Sequence, residues 1–443
     1  MMDAKQARQI IDRVLGLSRA DQASVRLTDG SSSHLRFARS TPSTSGEAVG
    51  PSITVTSSFG KRSGSITMNQ LDEASLAEAV RRSEEIARLA PEDPEHMPVL
   101  PAQQYAAVDA WDEATAGDGA ARMAAGTAKA IAAGRERDLV SAGFSRTDAS
   151  AEALGNSSGL FAYHRSTGAS FSTTMRTADG TGSGWAGRAA RRIGAIDHGA
   201  TAAEAADKAV RSRGARSLKP GVYPAILEPA CVADYLWLMA WSMDTRRSDE
   251  GRSYFASPKG GTRLGEKLFG AEVDVRSAPA DPRVAARPWS GDGLPHQGRA
   301  WIERGRVAAL ACDRYWAQHK KVEPVPPPPN LIMAGGQGTL ADLIRSTKRA
   351  VLVTSLWYVR SVDPRTLLYT GLTRDGVFWV ENGEIAYPVN NFRWNESPVA
   401  VFKKIEAMSA ADVRPGRGFD EPITVVPAVR VSGFTFSSVS DAV

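Results

Sequence analysis

Side chains able to hold a metal ion or carry a nucleophile are few and scattered in this 443-residue chain. Its six histidines are His34, His96, His164, His198, His296 and His319; none is followed by glutamate, and no two lie within six residues of each other. The helical His-Glu-x-x-His pair of zinc peptidases is therefore absent. The two cysteines, Cys231 and Cys312, cannot build a disulfide framework or a thiolate metal cluster. Cys231 opens an expected helix, where the dipole could lower its pKa, but the better reading of both is a small buried thiol. A Gly-x-Ser-x-Gly nucleophile elbow and a Gly-x-Gly-x-x-Gly dinucleotide fingerprint are expected to be absent.

The stretch EPACVADYLWLMAWSM, 228–243, has the layout of a strand end running into a helix, a place where hydrolases mount catalytic groups. Pro229 suits a first helical turn, because the N–H it lacks would be unpaired there anyway. Val232, Leu236, Met239 and Met243 make one apolar face, and Trp237 and Trp241 stack four apart along another. A helix apolar nearly all round is a core helix. Nothing between Tyr235 and Met243 titrates near neutral pH, and the 230–243 segment is expected to offer no cation ligand.

Two other stretches invite chemistry and have plainer readings. MAGGQGTLADLI, 333–344, looks like a phosphate loop but lacks the Walker lysine; Thr339 and Asp342 instead form a helix capping box. GVFWVENGEIAYPV, 376–389, places Asn382-Gly383 between two strand-like runs, the pair preferred in a type I′ hairpin turn. Glu381 and Glu384 beside it are expected to be solvated turn residues rather than an acid/base pair.

These groups need a scaffold, and composition bounds it. The chain is 42% apolar and 23% charged, so it can build globular cores. A formal charge of +5 from 54 basic and 49 acidic residues is a weak bias without a basic stripe, which argues against nucleic-acid binding. The longest apolar stretch is shorter than the ~20 residues that span a bilayer. MMDAKQARQIIDRVLG has no signal-peptide core, so a cytoplasmic location is expected.

Helical spacing marks 4–17, and ASVRLTDG, SHLRFARS, SITVTSSFG and SGSITMNQ read as short strands of an antiparallel meander. A helix at about 74–90 follows. The pattern then recurs, with helices near 118–133 and 201–213 flanking strands between 139 and 188. SLKPGVYPAILEPA, 217–230, reads as a boundary, and β patterning dominates beyond it. VEPVPPPPN, 322–330, should be extended polyproline II. The expected fold class is α+β, with an N-terminal α+β domain over 1–216 and a β-rich C-terminal domain over 217–443.

SLWYVRSVDPRTLLYTGLTRDGVFWVENGEIAYPVNNFRWNES, 355–397, resembles the C-terminal region of the TldD/PmbA family through its T-G-x-T-R-D-G, E-N-G-E-I and N-F-R-x-N-E-S elements. A weaker likeness extends to the N-terminal helix and meander and to GRSYFASPKGGTRLGEKL, 251–268. The resemblance implies a two-component metallopeptidase. A TldD-type subunit carries a His-Glu-x-x-x-His helix and zinc, and a TldE (PmbA) subunit shares the fold without those ligands. It puts the motif of the catalytic subunit at about Leu236 to Trp241, so Leu236, Trp237 and Trp241 take the ligand and general-base positions.

The chain therefore resembles a TldE-type, catalytically silent subunit with no cofactor of its own. It implies a heterodimer with a TldD-type partner that holds zinc, unfolded peptide as substrate, and room for self-association. Trp357, Tyr358, Arg360, Arg374, Phe392, Arg393 and Trp394 are the expected partner or peptide contacts, aromatic and arginine side chains being the usual interface anchors. The family is also named as a modulator of DNA gyrase, which leaves a regulatory protein without proteolysis as the alternative. A self-sufficient peptidase with an unrecognised site is the other.

Overall fold

The computed structural model describes residues 1–417 and 423–441. Its N-terminal half makes two passes of the same layout. Helix α1 (Ala4–Leu17) leads into β1 (Gln22–Ala38), β2 (Thr41–Phe59), β3 (Arg62–Met68) and α2 (Glu73–Leu89). Helix α3 (Glu113–Arg135) leads into β4 (Leu139–Asn156), β5 (Phe161–Thr177), β6 (Ser183–Ala190) and α4 (His198–Arg211). The strands form one antiparallel sheet, ordered β3-β2-β1-β4-β5-β6, so the two passes join where β1 pairs with β4.

Local chemistry accounts for the helix starts. Asp3 accepts from the Gln6 N–H at 2.8 Å while Gln6 Oε1 accepts from the Asp3 N–H at 2.9 Å, a complete capping box. Ala7, Ile11 and Val14 then recur on the buried face of α1. The segments ASVRLTDG and SHLRFARS turn out to be one strand. Ser31–Ser33 stay extended because β2 and β4 pair with them from both sides, where the serines suggested a break. Gly143 permits that seam: a Cβ there would lie 2.4 Å from the Phe37 ring.

The C-terminal half has two further sheets. In the nine-stranded sheet β7 (Gly221–Leu227) runs parallel to Arg349–Val353 and antiparallel to Val429–Ser440. The six-stranded sheet is ordered around Leu331–Met333. Helix α5 (Pro229–Ala240) touches strands of both sheets, and its side chains belong to the largest apolar core. Strands outweigh helices and the first sheet is antiparallel, which is the expected α+β class. Short helices at Thr245–Asp249, Arg314–Lys320 and Pro398–Lys403 interrupt the β half without having been anticipated. Among the described residues no helix is long and apolar enough to cross a membrane.

Candidate functional site

Helix α5 starts with Pro229 in its first turn, as its sequence implies. Glu228 precedes it without capping it; its carboxylate instead accepts from Lys208 Nζ on α4 at 2.7 Å. Lys208 also reaches Glu204 at 2.9 Å, and Arg188 on β6 completes the network. Burial alone would raise Glu204, but Lys208 and Arg188 outweigh it and hold the carboxyl at about 2. Burial keeps Glu228 above its ordinary range despite the lysine. Paired buried charges of this kind fix a geometry more than they add stability, and here they fix the start of α5 against α4.

Along α5, Leu236 is fully buried and Trp237 nearly so, while Trp241, at the C-cap, is 42% exposed. Leucine and tryptophan have no lone pair to offer zinc, so the residues at these positions do not fit the ion that the resemblance places there. One expectation is corrected: the 230–243 segment does contain side chains able to bind a cation, Cys231 and Asp234. Both are buried. Desolvation pushes the Cys231 thiol well above its ordinary value, and its Sγ lies 3.6 Å from the Val353 carbonyl. Asp234 faces Gly416, where a Cβ would come within 2.2 Å of Oδ1. Cys231 is committed to packing, and Asp234 acts electrostatically on the buried Arg417. Cys312 is likewise buried, its thiol pushed up to about 11.

Two sequence patterns expected to be absent are present. Residues 155–159 have Gly-x-Ser-x-Gly spacing, but they form the turn from β4 into β5 and no helix follows. Ser157 Oγ accepts from the Ala23 N–H at 3.1 Å, an ordinary sheet contact. Residues 182–187 have Gly-x-Gly-x-x-Gly spacing, yet they run into and along β6 rather than opening a helix. The close approach they permit is to α4: a Cβ on Gly184 would lie 2.2 Å from the Ala205 carbonyl.

The seven expected contact residues divide. Phe392 and Trp394 are fully buried in this chain's own core, where Trp394 packs against Tyr235 of α5 at 5.5 Å between ring centroids. They leave the contact set. Alternation along Asn391–Glu396 could have told this, because it puts Phe392, Trp394 and Glu396 on one face and Arg393 on the other. Arg393 and Arg360 are exposed and Arg374 half-buried.

Trp357 is 38% exposed and Tyr358 58%. Both lie on Leu356–Asp363, an edge strand of the nine-stranded sheet. Tyr358 has φ +54°, and the register slips between Trp357 and Arg360. A bulky side chain at positive φ is a strained conformation, and bulges at sheet edges re-aim side chains. Tyr358 is carried outward, under the Arg360 guanidinium at 4.2 Å.

Trp357 and Arg374 face β4 and β5 across a cleft of about 330 Å³. Val140, Ala142 and Arg176 form the opposite wall, and Arg417 and Asp375 the floor. Asp375, fully buried, accepts from Ser183 Oγ on β6 and makes a close ion pair with Arg417. Arg417 donates to Ser355 Oγ at 2.8 Å and lies between the Trp185 and Trp357 rings, 5.0 and 5.1 Å from their centroids. The T-G-x-T-R-D-G element thus supplies both an arginine at the cleft and the carboxylate that sets its floor.

The histidines serve elsewhere. His164 packs edge-on against Trp289 at 6.1 Å where the two halves meet, beside the 2.6 Å Glu152–Arg287 pair. Burial lowers it to about 4, with Arg191 and Arg287 pushing the same way and Glu152 opposing. Among the described residues, no group of three His, Cys, Asp or Glu side chains is placed to hold a metal ion.

The Asn382-Gly383 turn is as expected, with φ +51° and +86°. So is the Thr339–Asp342 capping box.

With this geometry in hand, comparison with known proteins is informative. Residues 220–438 match the C-terminal domain of the PmbA/TldA metallopeptidases, 111–213 the central domain and 23–87 domain 1. No curated protein matches. TldE from Thermococcus kodakarensis is similar in structure, with a TM-score of 0.86 at 16% identity over 97% of this chain and 99% of that one. A Thermotoga maritima protein described as a candidate modulator of a DNA gyrase gives 0.84 at 16% identity, over 97% and 99%. A Bacteroides thetaiotaomicron protein of like description gives 0.80 at 17% identity, over 98% and 100%. The matched segments together account for most of the residues from 23 to 438, and this chain belongs to the PmbA/TldD family of metallopeptidases.

Proposed function

We propose that this chain is a TldE-like, non-catalytic subunit of a two-component zinc metallopeptidase, paired in the cytoplasm with a TldD-type subunit and acting on unfolded peptides. One observation carries the reading. The helix that would bear the family's metal motif has Leu236 and Trp237 turned into its own core and Trp241 at its end. Leucine and tryptophan at those positions leave the motif without the ligands that would hold zinc and activate water. The chain's contribution is binding.

An enzyme for unfolded chains must grip backbone more than side chains, and strand edges do so by β-addition. The Leu356–Asp363 edge, with Trp357 and Tyr358 outward and Arg360, Arg374 and Arg393 nearby, is the surface we assign to partner or peptide. In the same reading the chain divides near residue 216 into an N-terminal domain and a C-terminal domain that carries this edge.

Co-expression tests the pairing. Tagged chain should retain a homologue that carries His-Glu-x-x-x-His through gel filtration, and Trp357→Ala with Tyr358→Ala should weaken that retention. Retention of gyrase, and of no such homologue, would favour the regulatory alternative named by the description of the Thermotoga protein.

A further inference from the structure

Strand β2 outruns the neighbour on its outer side. β3 pairs only with residues 53–59 of it, and among the described residues no strand lies beside 41–52. That stretch is held on its inner side alone, by β1. Gly46 and Pro51 are half-buried, every other residue from 41 to 52 is exposed, and Val49 is 73% exposed.

A bare strand edge is a template for another strand, and proteins blunt such edges with lysine, proline, bulges or a covering loop. Here prolines stand at both ends, Pro42 and Pro51, where the missing N–H limits any ladder. Between them residues 43–50 carry no lysine, arginine or proline, and Glu47 is their one charge. The register against β1 runs unbroken from Gly50 to Thr44 and slips only toward the hairpin end.

We infer that residues 43–50 form an interaction surface for a second copy of this chain, the two edges pairing antiparallel about a two-fold axis so that two N-terminal sheets become one. An edge that captures loose peptide reads alternate side chains in pockets beside it. This edge offers none: it is exposed on both faces, and a Cβ at Gly50 would meet nothing within 4 Å. A folded copy brings a strand already ordered and avoids the ordering cost that a flexible peptide incurs.

The single charge selects the register. An axis through Glu47 would set two carboxylates opposite each other, which is destabilising. An axis through Gly46 instead sets each Glu47 against Ser45 of the other copy, with glycine against glycine at the centre. The surface belongs to a different sheet from the Leu356–Asp363 edge, and the inference does not depend on the non-catalytic reading.

Sedimentation velocity on the purified full-length chain, over a hundredfold range of concentration, should show a monomer–dimer equilibrium, since so small an interface is a weak one. Ser45→Glu sets a carboxylate opposite Glu47 twice across the axis and should weaken the dimer about tenfold; Ser45→Lys should tighten it about as much. Adding Glu47→Lys to Ser45→Glu should restore it. Each variant should keep the wild-type circular dichroism spectrum. Hydrogen exchange on the unsubstituted chain gives a second reading: amides within 43–50 should slow as concentration rises.

A chain that stays monomeric throughout would overturn the inference. So would a dimer indifferent to both Ser45 variants, or one whose 43–50 amides exchange as fast as the monomer's. Pairing of this edge only with a homologue carrying His-Glu-x-x-x-His would also overturn it and give the surface to that partner.

Discussion

Asp375 and Ser183 stand 192 positions apart, yet the serine hydroxyl donates to a carboxylate that has no solvent exposure. The bond crosses from the last strand of the N-terminal sheet to the T-G-x-T-R-D-G element, and Arg417 meets the same carboxylate. One side chain thus positions the cleft floor and ties the two halves together.

Asp375→Ala should therefore cost about 3–5 kcal/mol of stability, because it strands Arg417 as an uncompensated buried charge. Asp375→Asn should cost less, since the amide can still accept from Ser183. Urea unfolding followed by tryptophan fluorescence measures both. A loss under about 1 kcal/mol for the alanine variant would mean that Arg417 is held by other groups.

Acid should loosen the seam between the halves. His164 and His296 are both lowered to about 4, chiefly by burial, from an ordinary 6.5. A folded pKa below the unfolded one means that the unfolded chain takes up the proton first. The associated stability is complete above pH 6.5 and falls between 6.5 and 4, by up to ~1.4 kcal/mol per pH unit for each ring. His164→Gln should flatten the pH dependence of the unfolding free energy in that window, leaving the shares due to His296 and to His198, which burial also lowers. An unchanged slope would show that His164 does not titrate there.

The hairpin gives a local test. A Cβ on Gly383 would meet the Arg345 carbonyl at 2.6 Å, and the residue sits at φ +86°. Gly383→Ala should cost about 1–3 kcal/mol, whereas Asn382→Gly should change stability by a few tenths at most, since glycine adopts the same backbone freely. Thermal melts of the two variants side by side would reveal the contrast, and equal melts would refute the turn geometry.

Leu236→Ala asks whether the motif helix is a core helix. Leu236 is fully buried among residues of both C-terminal sheets. The substitution should cost about 2–5 kcal/mol through lost burial and a residual cavity. Chemical denaturation near wild type would place the side chain somewhere less crowded.

What the sequence disclosed follows the range of the interactions involved. Helix α1 and the Asn382-Gly383 hairpin are settled by neighbours within a few residues, and both stand where their patterns put them. The continuous β1 was hidden because Ser31–Ser33 resemble a break until two distant strands are laid beside them. Asp375 was equally hidden, its partners being far away in sequence.

Other misses had a signal that went unread. The alternation that buries Phe392 and Trp394 is plain in Asn391–Glu396, and Asp234 and Cys231 stand in the motif helix for anyone listing donors. That Leu236, Trp237 and Trp241 have no lone pair for zinc was legible for the opposite reason: it depends on side-chain identity alone. Where Trp357, Tyr358 and Arg374 gather, by contrast, depends on a strained edge strand that no periodicity announces.

Metal content and peptidase activity, measured on the chain purified alone and again after co-expression with a homologue carrying His-Glu-x-x-x-His, bear most directly on the proposal that this chain is a non-catalytic subunit. The lone chain should hold well under one zinc per molecule and leave an unfolded peptide intact, and the complex should hold zinc and lose its activity to a chelator. Chelator-sensitive cleavage by the lone chain, with one zinc bound per molecule, would contradict it.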